Sequence, residues 1–82
     1  APNLPLYTSG ARDPHTAAFA IPVFGEGDKL AAALALTGPS SRLTLDRKEA
    51  GLGELMRESA ARLSAQLGAR KAFCDVVYAH NA

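Results

Sequence analysis

Thr16–Thr37 reads TAAFAIPVFGEGDKLAAALALT, and the parity of its side chains decides the fold. In Thr16–Phe24, the bulky Phe19, Ile21 and Val23 fall on one parity, and Ala18, Ala20 and Pro22 on the other. Such period-2 alternation marks a strand with one bulky face and one small face. Pro22 has no N–H to give a ladder, so it belongs at an edge or a bulge. Gly25-Glu26-Gly27-Asp28 reads as a turn, since both glycines tolerate positive φ. Lys29–Thr37 pulls two ways. Its Ala and Leu content favours helix. Its parity favours strand: Leu30, Leu34 and Leu36 share one face, and Ala31, Ala33, Ala35 and Thr37 the other. The segment is also short for a helix and is closed by Gly38-Pro39, so we read a second strand.

Outward from this pair, Pro39-Ser40-Ser41 is a loop. Thr44 is placed as an N-cap, with Asp46 in the positive first turn. Leu52, Leu55, Met56, Ser59, Ala60, Leu63 and Leu67 then recur at helical spacing, predicting one apolar stripe on a long amphipathic helix. Gly68 ends it, and Arg70 and Lys71 suit the negative end of its dipole. Gly51 and Gly53 each cost about 1 kcal/mol relative to Ala, which predicts fraying or a bend. Ala1–Pro14, with three of the five prolines, reads as irregular chain in which Leu4, Leu6 and Tyr7 are the candidates for burial. The tail from Ala69 to Ala82 holds Phe73, Val76, Val77 and Tyr78 and fits a short strand or a helix extension equally. Two strands and one helix do not make an independent sheet. Further strands must come from the chain ends or from another chain.

Length and composition narrow the function. Eighty-two residues make one domain or a piece of one. A chain this short buries roughly 60% of its unfolded surface, so its core is marginal. Hydrophobic residues at 48% and charged residues at 21% read as globular. A net charge of +1 excludes a strongly basic nucleic-acid module. The single cysteine, Cys74, excludes an internal disulfide framework and a CxxC metal site, and suggests a reducing, intracellular setting. No apolar run is long enough to span a bilayer, and no secretory signal pattern is present. A start at Ala1 rather than Met predicts a processed or trimmed chain.

Residues with chemical potential are few. His15, Cys74 and His80 are the soft metal ligands, and they are scattered where zinc needs about four together, so no metal is expected. Cys74 as a nucleophile needs a base such as His80, and a spacing of six residues is no recognised arrangement. Ser40-Ser41-Arg42 before a helix start is better read as turn and cap than as an anion site, with Arg42 available to a carboxylate. Arg57, Arg62, Arg70 and Lys71 are interspersed with Glu54 and Glu58, as on a solvated helix face. No paired carboxylates, Ser/His/Asp set or phosphate loop stands out, so neither catalysis nor a cofactor is expected.

Tyr7 to Gly68, about three quarters of the chain, resembles the C-terminal part of the effector-binding domain of IclR-type transcriptional regulators. The resemblance rests on AIPVFGEGDKLAAALALTGPSSRLT (Ala20–Thr44): an apolar strand ending in PVF, an acidic-glycine turn, a small-residue strand, then TGPSSRLT leading to the last helix. Tyr7-Thr8-Ser9-Gly10-Ala11-Arg12 is similar to the family's segment upstream, and SAARLSAQLG (Ser59–Gly68) to its terminal helix. The family's winged helix-turn-helix has no counterpart here.

The resemblance implies an α/β (α+β) fold: a GAF-like or profilin-like antiparallel sheet with a long C-terminal helix, present here in part. Residues 1–82 would be the later portion of the sensor domain, with 69–82 a tail of unassigned structure. A small organic effector would bind a pocket and shift a homo-oligomer, dimer or tetramer, in the cytoplasm. DNA would be reached only through the absent winged helix-turn-helix. The family's polar effector contacts fall on Thr8, Ala18, Ala35 and Thr37, and Ala20 shares their face. Ala18 and Ala35 supply no side-chain donor, and a buried carboxylate without donors is costly. The expected effector is therefore apolar or aromatic. The same alanine face serves equally for close helix packing, as in a small structural or oligomerisation module without a ligand. Half a sensor domain should also leave an exposed sheet edge and apolar surface.

Overall fold

In a computed structural model that describes residues 4–10 and 13–79, the two parity patterns become neighbouring strands of one sheet. The chain runs β1 (Leu6–Ser9), β2 (Thr16–Phe24), a 3-10 turn (Glu26–Asp28), β3 (Leu30–Pro39), a wide π-helical turn (Lys48–Leu52), α1 (Gly53–Gln66) and α2 (Lys71–Val77). The sheet is antiparallel in the order β1-β2-β3, which makes the class α+β. Parity outweighs the helix propensity of Ala and Leu in β3, because pairing with β2 supplies a partner that propensity ignores. Part of the N-terminal stretch expected to be irregular forms β1. Ala11, Arg12 and His80 lie outside the described residues.

The bulky parity of β2 builds the core: Ala17, Phe19, Ile21 and Val23 are buried, and α1 lies across them. Tyr7 stands opposite Phe19 with ring centroids 4.9 Å apart. In an antiparallel ladder the backbone groups of alternate residues point to alternate sides. Thr16 carbonyl accepts the Gly10 N–H at 3.0 Å on the β1 side, and His15 carbonyl accepts the Ser40 N–H at 2.8 Å on the β3 side. Even-numbered residues of β2 therefore address β1, and odd-numbered ones address β3. Pro22 is even and lies past the end of β1, which stops opposite Ala20. Its missing N–H removes no ladder bond. The edge there is closed by side chains instead: Tyr78 donates to the Pro22 carbonyl at 2.6 Å, and the Phe24 N–H donates to Ser64 Oγ at 3.0 Å. The register slips between Val23 and Phe24, leaving Ala31 as the extra residue of a bulge.

The helical half corrects the expectation of one long helix. α1 has 14 residues and starts at Gly53. Before it, Gly51 takes φ 111° and Ala50 leaves helical geometry, so the chain breaks where a bend was expected. Thr44 caps no helix; its carbonyl accepts the Arg47 N–H at 3.1 Å. A Cβ on Gly53 would stand 2.9 Å from the Lys48 carbonyl oxygen, so glycine lets the preceding turn fold onto α1. The stripe is also rotated. Gly53, Met56, Ala60 and Ser64 are buried, whereas Leu55, Leu63 and Leu67 are 59%, 39% and 50% exposed. A helix pressed close to Phe19, Ile21 and Val23 leaves room for small residues at the contact, and the leucines flank it.

Gly68 ends α1 as expected, at φ 102°, and the tail then forms its own helix, α2. The Arg70 charge does not serve the helix dipole but binds the β2–β3 turn. Asp28 accepts the Arg70 N–H at 3.0 Å and its Nε–H at 2.6 Å. These two hydrogen bonds, the backbone one first, hold the Asp28 carboxyl below its ordinary value. Of the turn's glycines only Gly27 has positive φ, and Asp28 takes the other left-handed position at φ 58°.

Candidate functional site

Residues directly opposite in an antiparallel ladder point to the same face. Thr8, Ala18 and Thr37 form one row across the three strands; Leu6, Ala20 and Ala35 form the next; Pro22 and Ala33 form a third. Thr8, Ala18, Ala20, Ala35 and Thr37 thus share one face, the one turned away from α1. They are not enclosed: Ala18 and Ala20 are half-buried, and Thr8, Ala35 and Thr37 are exposed. The hollow on this face lies at one end, where Leu4, Leu6, Ala20, Pro22, Phe24, Leu30, Ala33 and Val77 line an open groove of about 450 Å³. Ala20 is the one expected site residue in that lining. The other four lie farther along the face, so the structure does not gather them around a cavity.

The groove offers hydrocarbon and almost nothing else. It can remove apolar ligand surface from water at about 25 cal/mol per Å². It has no side-chain donor to pair with a carboxylate, and an unpaired charge is expensive to desolvate.

A second cleft, of about 520 Å³, opens between the segment before α1, α1 itself and α2, where Lys48, Glu54, Arg57, Glu58, Asp75 and Cys74 come together. Sequence spacing gave no sign of it. Arg57 Nη1 donates to the Leu4 carbonyl at 3.1 Å, which ties the N-terminal segment to α1. Burial pushes the Cys74 thiol above its ordinary value, and the nearby Asp28 and Asp75 charges add to that shift. A thiol held protonated is a poor nucleophile. Arg42 forms no ion pair among the described residues. Among those residues no group of three or more His, Cys, Asp or Glu is placed to hold a metal ion.

The polar pair that sequence reasoning missed is Ser64 and Tyr78. Ser64 is fully buried, and its Oγ lies 2.9 Å from the Tyr78 hydroxyl. Tyr78 has one proton and gives it to the Pro22 carbonyl, so Ser64 must donate to Tyr78 while accepting from Phe24. Among the described residues, no buried side-chain nitrogen or oxygen lacks a hydrogen-bond partner. The available signal was spacing: Met56, Ala60 and Ser64 recur every four residues.

No protein-family model matches the chain, and no curated protein matches it. No helix among the described residues is long and apolar enough to cross a membrane.

Proposed function

We propose that the chain is the later portion of a GAF-like effector-binding domain of an IclR-type transcription regulator. In this reading it binds a small apolar or aromatic effector, works as a homo-oligomer in the cytoplasm, and controls DNA binding by a winged helix-turn-helix elsewhere in the parent protein. It carries out no catalysis and uses no cofactor. The observation that supports it best is the shared open face of Thr8, Ala18, Ala20, Ala35 and Thr37, continuous with a groove built from apolar side chains. Calorimetric titration of small aromatics (indole, naphthol) against compact oxoacids (glyoxylate, pyruvate) tests it. The aromatics should bind at least about tenfold more tightly, a difference of about 1.4 kcal/mol. Ala20→Phe, which fills the groove, should abolish that binding without unfolding the chain. Tighter binding of an oxoacid refutes the assignment. The alternative, an α+β oligomerisation module without a ligand, is favoured by one feature, the free edge of β3.

A further inference from the structure

We propose that Arg57 is a positioning residue for the apolar groove: it holds the wall formed by Leu4 and so sets the affinity for the effector. This deepens the proposed function and rests on its ligand half. The observations start with the ladder. Leu6 pairs with Ala20, and the same register carried two residues further would set Leu4 opposite Pro22. In such a pair each residue donates its N–H to the other's carbonyl. Pro22 has no N–H to give, so that pair would lack a bond, and β1 begins only at Leu6. The strands part there, and the groove opens among Leu4, Leu6, Pro22 and Val77.

The parting leaves two carbonyls over, and each takes a side-chain donor in place of the ladder. Tyr78, just past α2, donates to the Pro22 carbonyl at 2.6 Å, and Arg57 Nη1 donates to the Leu4 carbonyl at 3.1 Å. Among the described residues, Leu4 and Pro5 have no other hydrogen bond. Both are buried, so packing and this one polar contact hold the strap they form. The local sequence of α1 suits the contact. Gly53 stands one turn before Arg57, and a Cβ there would lie 3.1 Å from Nη1, the donor atom itself. Glycine leaves the guanidinium its path. Glu54 and Glu58 are close to Arg57 along α1, yet among the described residues Arg57 makes no ion pair. Its charge strengthens the bond to the neutral carbonyl instead. Arg57 lines the charged cleft and not the groove, so it acts on a bound effector only through Leu4.

Calorimetric titration with indole of the native chain, Arg57→Met and Arg57→Lys tests the proposal. The Met variant keeps the length of the side chain and loses the donor. It should bind indole at least about tenfold more weakly. The Lys variant restores a donor of similar reach and should recover affinity to within about threefold of native. Amide hydrogen exchange separates positioning from a general loss of stability. Release of the strap frays the ladder from its first residue, so in the Met variant exchange at Leu6 should rise at least about tenfold more than at Thr8. Equal indole binding by the native and Met chains, no recovery with Lys, or the same change in exchange at Leu6 and Thr8 overturns the positioning role alone. A native chain that takes no indole overturns the effector reading and this proposal with it.

Discussion

Ser64 and Tyr78 join three elements through two hydroxyls, and each proton has one place to go. The pair substitutes for the strand that β1 is too short to supply beside Pro22 and Phe24. Tyr78→Phe should therefore cost about 1–2 kcal/mol in denaturant unfolding, because it strips the Pro22 carbonyl of its donor. Burial pushes the Tyr78 hydroxyl above its ordinary value, outweighing the Ser64 hydrogen bond that opposes the shift. The sign follows: with a raised pKa the folded chain keeps the proton that the unfolded chain loses. The contribution is full below the unfolded value, about pH 10, and is lost as pH rises through the folded one. Unfolding free energy should fall more steeply above pH 10 in the native chain than in the Phe variant; equal slopes would contradict this. Cys74 gives a second test. With its thiol held protonated and buried, alkylation by iodoacetamide at neutral pH should be at least about tenfold slower than in the denatured chain.

The two glycines ahead of α1 separate a broken helix from a continuous one. In a continuous helix Gly51→Ala stabilises by about 1 kcal/mol. Here Gly51 has open space around it but φ 111°, so Gly51→Ala should destabilise by about 1–2 kcal/mol. Gly53→Ala should destabilise as well, through its contact with the Lys48 carbonyl rather than through backbone strain. The clamp between the β2–β3 turn and α2 is read by pH. Asp28→Asn keeps a residue that tolerates positive φ but removes the charge that Arg70 binds. A depressed carboxyl contributes above its unfolded value and loses that contribution as pH falls through the folded one. The melting temperatures of native and variant chains should differ at neutral pH and converge as the pH falls below the ordinary aspartate value of about 3.9. The strands were legible because a sheet with one buried face writes its parity into the sequence. The helix was half legible: Met56 and Ala60 of the expected stripe are buried, but Leu55, Leu63 and Leu67 outweighed Gly53 and Ser64 in the hydrophobic reading, though close packing selects the small residues. The Gly51 break was expected only as a bend, since a glycine lowers helix propensity whichever conformation it takes. The Asp28–Arg70 contact spans 42 residues and leaves no local trace.

Over the whole molecule, the sheet has one face committed to α1 and one left open, with a free β3 edge between them. The parity of β2 and β3 foretold the shared face of Ala18, Ala20, Ala35 and Thr37, and pairing with β1 added Thr8 to the same row. The groove was not foretold, because its walls come from Leu4, Leu6 and Val77, whose positions depend on how β1 and α2 pack. The charged cleft was hidden for the same reason, since it forms only where α2 packs beside the 48–61 stretch. The central claim is that this open apolar groove, not the charged cleft, receives a small molecule. Amide and methyl chemical-shift mapping during titration with indole tests it most directly. The account predicts shifts concentrated at Leu6, Ala20, Ala33 and Val77. Shifts concentrated at Glu54, Glu58 and Asp75, or none at saturating ligand, would contradict it.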